Sequence, residues 1–388
     1  MRDHLGRASA LLAIVTAAAA LLGTAPRAEA ATVARADRPS GTIGGERLAS
    51  RGEIVPAGVR RPPKTKAAAY LVADADTGDV LAAKDPHGHY RPASTLKALT
   101  AITLIPKLDK KRVVRPSPEA CNEEGSAVGL VPKPIYTVED LFRALLMVSG
   151  NDAANALAEA NGGMRKTLAE MNQVARRLQA YDTVAKTPSG LDRPGQRSSA
   201  YDLALIARAG LAMPDFRRYV STKVAKFPAP KGHYEIANHN RLLGRYQGMI
   251  GVKNGWTSKA LGSFVGAATR NGHTIIVVIM RHPGWFWDEV ADLLDWGFAV
   301  RGKVTPVGTL VPPLSETPSP SPAPVQALPA APAAPAVPPA AQAPAPAVRS
   351  SGERSPMAFA VPAAGGALAL VGLLAAYRLR RARRTARE

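Results

Sequence analysis

The chain has 388 residues, with 50 Lys plus Arg against 30 Asp plus Glu, a formal net charge of +20 and one cysteine. A lone cysteine excludes an internal disulfide framework. The basic balance calls for an anionic partner: a wall polymer, a lipid surface or nucleic acid.

Residues 1–30 read as a secretory signal. Arg2 and Arg7 start it, Ala10 to Gly23 is an apolar run too short for a comfortable span, and Ala28-Glu29-Ala30 fits a small-x-small cleavage site, so the mature chain starts at Ala31. Residues 31–66, rich in Arg, Gly and Pro, are expected to form a low-order leader. Ala68 to Ala73 and Val80 to Ala83 read as strands joined by a turn at Asp76-Thr77-Gly78-Asp79. His87 and His89 form a close pair but lack the partners of a zinc signature. Pro92 precedes a helix beginning at Ser94, with Leu96, Leu99, Thr100, Thr103 and Leu104 on its period. Nothing beside Cys121 marks that thiol as activated.

Thr137 and Asp140 form a capping-box pattern at the head of a helix continued by Leu141, Leu145 and Val148. Gly150 breaks it, which puts Ser149 and Asn151 on a tight connection before helix resumes at Asn155 to Ala160. Ile250 to Val252 reads as a short strand ending at Lys253. Leu261 to Ala268 and Thr274 to Met280 are two strong strands around Asn271-Gly272, a hairpin turn. Trp285 to Val300 reads as an amphipathic helix covering the sheet. The order gives an α+β protein, an antiparallel sheet with a helical lobe.

Residues 311–356 are rich in Pro and Ala. About 45 residues of extended polyproline at ~3.1 Å each reach ~140 Å, the size of a stalk. Residues 357–377 form an uncharged segment of spanning length, and 378–388 form an arginine-rich tail. Positive charge beside a span stays in the cytoplasm, so the expected topology is a globular part outside the cell on a single-pass anchor. Export and the lack of a nucleic-acid motif set DNA aside. Residues 67–310 are the expected catalytic domain, roughly 245 residues.

Three motifs in that domain carry chemistry: Ser94-Thr95-Leu96-Lys97, Ser149-Gly150-Asn151 and Lys253-Asn254-Gly255. In order they supply a nucleophile, two amines and hydrogen-bonding groups, the set needed for acyl transfer to a serine. Ser94 and Lys97 are three apart, so they share a helix face.

At these motifs the chain resembles the serine D-alanyl-D-alanine carboxypeptidases, the low-molecular-mass penicillin-binding proteins. Tyr90 to Ala93, Gly125 to Gly163, Thr187 to Asp192 and Trp296 to Phe298 extend the likeness over about Ala67 to Leu310. The resemblance implies the β-lactamase/transpeptidase-like fold, an antiparallel sheet flanked by helices with the active site between sheet and helical lobe. It implies removal of the terminal D-alanine from peptidoglycan stem pentapeptides, and inhibition by β-lactams. No cofactor or metal is expected. The family's extra C-terminal β-domain is expected to be absent.

The expected roles follow. Ser94 is the nucleophile, and Lys97 serves as its base once burial and the Lys253 charge depress its pKa. Ser149 relays a proton to the leaving amine. Asn151 holds a substrate amide, Lys253 adds charge near the substrate's carboxylate, and Thr257 contacts substrate. The backbone N–H groups of Ser94 and Trp256 form the oxyanion hole. Asn254 stands where the family usually has threonine and is expected to hydrogen-bond substrate. The place of the arginine with which some members bind the terminal carboxylate falls near Phe286 and Trp287; Arg281 is close by but is not assigned that role. Competing readings are a β-lactamase, for which no glutamate stands in a marked position, and a catalytically weak wall-binding module.

Overall fold

A computed structural model describes residues 41–315. The predicted signal (1–30), span (357–377) and basic tail (378–388) lie outside the described residues, as do residues 31–40 of the leader and 316–356 of the stalk. Among the described residues no helix is long and apolar enough to cross a membrane.

The elements run β1 (Glu53–Ile54), β2 (Ala69–Asp74), β3 (Asp79–Lys84), a 3-10 turn at Ala93–Leu96 leading into α1 (Lys97–Leu104), β4 (Val113–Val114), α2 (Pro118–Cys121), β5 (Tyr136–Thr137), α3 (Val138–Met147), α4 (Asn151–Ala160), α5 (Met164–Arg177), α6 (Ala200–Leu211), α7 (Pro214–Ser221), β6 (Val224–Pro228), β7 (His233–Ala237), β8 (Met249–Thr257), β9 (Leu261–Arg270), β10 (His273–His282), α8 (Trp287–Val300) and β11 (Gly308–Thr309). The main sheet is antiparallel, in the order β1-β3-β2-β10-β9-β8, with β11 on β3.

Every residue of β2 is buried, because both faces of the sheet are covered. Side chains alternate between faces along a strand. Leu71, Ala73, Ile276 and Val278 join the core shared with α1, α3, α4 and α6. Tyr70, Val72, Ile275, Val277 and Ile279 join Val290, Leu293 and Leu294 of α8 on the other side. Fully burying one such side chain stabilises by roughly 1.5–3 kcal/mol, so this sandwich makes the sheet a rigid floor.

The expected antiparallel α+β architecture is what the chain adopts. Thr137 and Asp140 form the full capping box at α3. Five local readings need correction. Helix α4 begins at Asn151, with Gly150 as its N-cap, and not at Asn155; the other four follow. The described part of the leader, residues 41–66, is packed: Ile43, Leu48 and Ile54 are buried. There β1 pairs with β3, Glu53 accepts from the Tyr70 hydroxyl at 2.9 Å, and His87 bridges Asp182 and the Ile43 carbonyl at 2.8 and 3.0 Å. Three apolar anchors in a Gly- and Arg-rich stretch are enough to bind it to the core. Second, the described first residues of the expected stalk, 311–315, are tied to the domain, since Pro312 O accepts from Gln179 and Leu314 N donates to Arg177 O. Third, β8 continues through Lys253 to Thr257, because its ladder with β9 holds to the Thr257–Leu261 pair. Fourth, Ser94 lies in the 3-10 turn and the α-helix proper starts at Lys97. The β6–β7 hairpin was not expected. Its strands are largely exposed and carry little apolar alternation, so only Pro230 and Gly232 between them hinted at a turn.

Candidate active site

The 3-10 turn and α1 set Ser94 and Lys97 on one face, and Lys97 Nζ lies 3.0 Å from Ser94 Oγ. The amine also donates to Asn151 Oδ1 and to the Ser189 carbonyl, each at 2.6 Å. Lys97 is fully buried. Desolvation first, and the charge of Lys253 second, push its pKa well below the usual lysine value. A neutral amine has two N–H groups and one lone pair. The two carbonyl oxygens take the N–H groups and leave the lone pair for the Ser94 hydroxyl proton.

The Ser189 carbonyl reaches this spot because its loop presses against the nucleophile's turn. Gly190 has φ +85°, and a Cβ there would fall 2.0 Å from the Ala93 carbonyl oxygen. Ala93 itself has φ +50° and Ser149 has φ +64°. Left-handed backbone at non-glycine residues costs of order 1–3 kcal/mol each and is found where surrounding structure imposes it, often at functional sites. Here Ala93 precedes the serine of the first motif, and Ser149 is the serine of the second. Ser149 is buried at the break between α3 and α4.

Asn151 opens α4. Its amide holds Lys97 on one side and donates to the Glu124 carbonyl at 2.6 Å on the other, so in this state it positions the base. The next residue, Asp152, is fully buried and accepts from the backbone N–H groups of Val128, Gly129 and Leu130 at 3.1, 2.9 and 3.0 Å. That pins the loop forming one wall of the cleft. The sequence reading included Asp152 in the family match and gave it no role. An acidic residue in the first turn of α4 was the available signal.

On the opposite wall, β8 passes directly in front of the nucleophile. A Cβ at Gly255 would lie 2.5 Å from Ser94 N and 3.0 Å from Thr95 N. Only glycine permits that approach, and Trp256 is the next residue on the strand. The pair of backbone amides expected for the oxyanion hole is thus carried by two segments in contact. Lys253 is buried, its ammonium donates to the Asn254 carbonyl at 2.7 Å, and desolvation lowers its pKa to about 7. Thr257 is committed locally: its hydroxyl donates to Asp192 at 2.8 Å and accepts from Ala260 N at 2.9 Å. Arg281 bonds the Lys259 carbonyl at 3.4 Å and lines a separate pocket.

Asn254 lines a groove of about 810 Å³ with Val148, Tyr234, His239, Arg241 and Trp287. The β6–β7 hairpin forms its flank, and the Tyr234 hydroxyl donates to the Val128 carbonyl. Desolvation first, then the Lys253 and Arg241 charges, lower the His239 pKa below the usual histidine value. Arg241 is exposed, with its guanidinium 4.8 Å over the Trp285 ring. Sequence reasoning missed both, since neither belongs to a motif.

Residues 57–284 match the model of the D-alanyl-D-alanine carboxypeptidase family, Peptidase S11. The chain is similar to D-alanyl-D-alanine carboxypeptidase DacB2 of Mycobacterium tuberculosis, at 42% identity over 265 residues, 66% of this chain and 91% of that protein. It is also similar to DacF of Bacillus subtilis, at 30% over 244 residues, 60% of this chain and 62% of the relative. Among solved structures it resembles a D-alanyl-D-alanine carboxypeptidase from Mycobacterium tuberculosis, with TM-score 0.64, 41% identity and coverage of 66% of this chain and 99% of the other. It also resembles the Streptomyces K15 DD-transpeptidase, with TM-score 0.59, 26% identity and coverage of 62% and 100%. With its serine and lysine in contact on one wall of the cleft, the chain belongs to the D-alanyl-D-alanine carboxypeptidase family of serine peptidases.

Proposed function

We propose that this protein removes the terminal D-alanine from peptidoglycan stem pentapeptides through an acyl-enzyme on Ser94. The observation that carries the reading is the buried Lys97 amine, 3.0 Å from Ser94 Oγ with two carbonyl acceptors already filled. Ser94 Oγ attacks the scissile carbonyl carbon and its proton passes to Lys97 Nζ. The carbonyl oxygen becomes an oxyanion facing the Ser94 and Trp256 amides, a contact worth a few kcal/mol in the transition state. The C–N bond breaks, the departing amine takes a proton by way of Ser149, and D-alanine leaves. Water then hydrolyses the Ser94 ester. The leaving residue's carboxylate lies toward Lys253, Asn254 and Arg241, the charged and polar end of the groove. Penicillin enters the same path and stops at the ester.

The placement of the enzyme is a proposal from sequence alone. Export by the 1–30 signal and anchoring by the 357–377 span, with the domain outside the cell, suit work on the wall. A protein released to the medium after truncation behind residue 312 supports the anchor, and one still bound to membranes contradicts it.

The activity is tested by incubating the soluble domain with an acyl peptide ending in D-Ala-D-Ala. Free D-alanine should appear with the parent and not with Ser94→Ala; equal release by both would overturn the reading.

A further inference from the structure

Strand β8 continues past the catalytic centre, from Asn254 through Trp256 and Thr257 to a turn at residues 258–260. With the leaving residue at the Asn254 end, the acyl part of the peptide extends the other way, toward that turn. A second pocket, of about 300 Å³, opens there, lined by Tyr90, Arg91, Arg197, Lys259 and Arg281 among others. It is coupled to the cleft through Asp192, which accepts from the Thr257 hydroxyl at 2.8 Å and lies 3.7 Å from Arg91 Nε.

Four of those side chains are cations, and among the described residues no carboxylate lines the pocket. Asp192 offsets Arg91, and behind the lining Asp85 accepts from the Tyr90 hydroxyl and Asp182 lies 3.2 Å from His89 Nε2. The Arg197 Nε is buried and, among the described residues, has no hydrogen-bond partner. Arg281 has φ +55° where the β9–β10 register slips between Ile279 and His282. Such a bulge re-aims a side chain out of the regular pleat. A surplus of cations on the wall of a concavity, one with an unfilled donor, makes a receptor for an anion.

We infer that this pocket is a subsite for a carboxylate borne by the acyl part of the peptide substrate, upstream of the scissile bond. The inference rests on the reading of Ser94 as the nucleophile, because that reading sets the direction in which the peptide runs. The pocket selects among peptides and takes no part in bond breaking.

The test compares two acyl peptides ending in D-Ala-D-Ala, identical except that one carries Glu and the other Gln upstream of the scissile bond. The parent should cleave the Glu peptide with a kcat/KM roughly fivefold to tenfold higher at low salt, the size expected of two or three partly exposed ion pairs. The preference should shrink toward one at high salt, where such pairs are screened. In the Lys259→Gln/Arg281→Gln double variant, which leaves Arg91 and Arg197 in place, it should fall to about half or less of the parental preference, with the Gln peptide and the rate of penicillin acylation unchanged. Both substituted side chains are exposed, so folding is preserved. Equal cleavage of the two peptides by the parent, or an undiminished preference in the variant, would overturn the subsite. Absence of acylation by either peptide and by penicillin would instead overturn the enzymatic reading, and the subsite with it.

Discussion

At the floor of the cleft Lys97 and Lys253 are buried and have lowered pKa values. At its rim Arg241, Lys259 and Arg281 are exposed to solvent. The same kind of charge thus does two jobs. Below, desolvation makes the charged amine costly, which fits the proposed role of Lys97 as a base, 3.0 Å from the Ser94 hydroxyl. Above, exposure to solvent weakens each ionic contact, which suits the proposed selection among peptides. The floor is also the better determined region. Gly190, Gly255, Ala93 and Ser149 all sit in conformations or contacts that the packing imposes, while Arg241 is held by one ring.

The largest way to break this comparison is at the floor. Lys97→Gln keeps a polar side chain but removes the base, so the rate of penicillin acylation should fall by about 10²–10⁴-fold, the usual range for a positioned proton acceptor. A fall under threefold would show that another group takes the Ser94 proton.

The pH dependence sharpens it further. The proposed mechanism needs Lys97 neutral and Lys253 charged, so kcat/KM should rise as the first loses its proton and fall as the second does. With Lys253 at about 7 in the free enzyme, the falling limb should begin near neutrality. Lys253→Arg, which stays charged, should move that limb upward; a limb that stays put belongs to another group. The two amines interact, so the limbs report the pair. Stability has its own sign. Between about 7 and the unfolded lysine value the native state binds fewer protons than the unfolded chain, so the Lys253 contribution makes the fold more stable as pH rises through that window.

Nearer the rim the effects should shrink. Asn254→Ala removes one hydrogen-bonding group at the carboxylate end and should cost about 1–3 kcal/mol of transition-state binding for the peptide. Asn254→Thr should keep much of the activity. Peptide hydrolysis by Asn254→Ala at the parental rate would make Asn254 a strand residue only.

The sequence showed the floor and missed the rim, for a physical reason. Ser94, Lys97, Ser149, Asn151 and Lys253 fall in short fixed spacings because each pair is set by one turn of backbone, and local spacing is visible in a chain. The strands β2 and β10 were legible from unbroken apolar runs, β9 from its place across the Asn271-Gly272 turn from β10, and α3 from its cap. Asp152, His239 and Arg241 act across the cleft on segments far apart in the chain, so no spacing reveals them. The same holds for the role of Asn151, whose amide meets Lys97 from 54 residues away. Residues 41–66 read as low-order because Gly and Arg outnumber their anchors, yet Leu48 has no exposed surface. Thr257 read as a substrate contact because it follows a motif. Its tie to Asp192 needs a loop that the strand meets only after folding.

The most direct measurement is the site of penicillin attachment. The soluble domain is mixed with penicillin and digested, and the labelled peptide is located by mass spectrometry. The account predicts one adduct, on Ser94, formed by the parent and missing from Ser94→Ala. An adduct on Ser149 or on another residue, or label retained at the parental rate by Ser94→Ala, would contradict it.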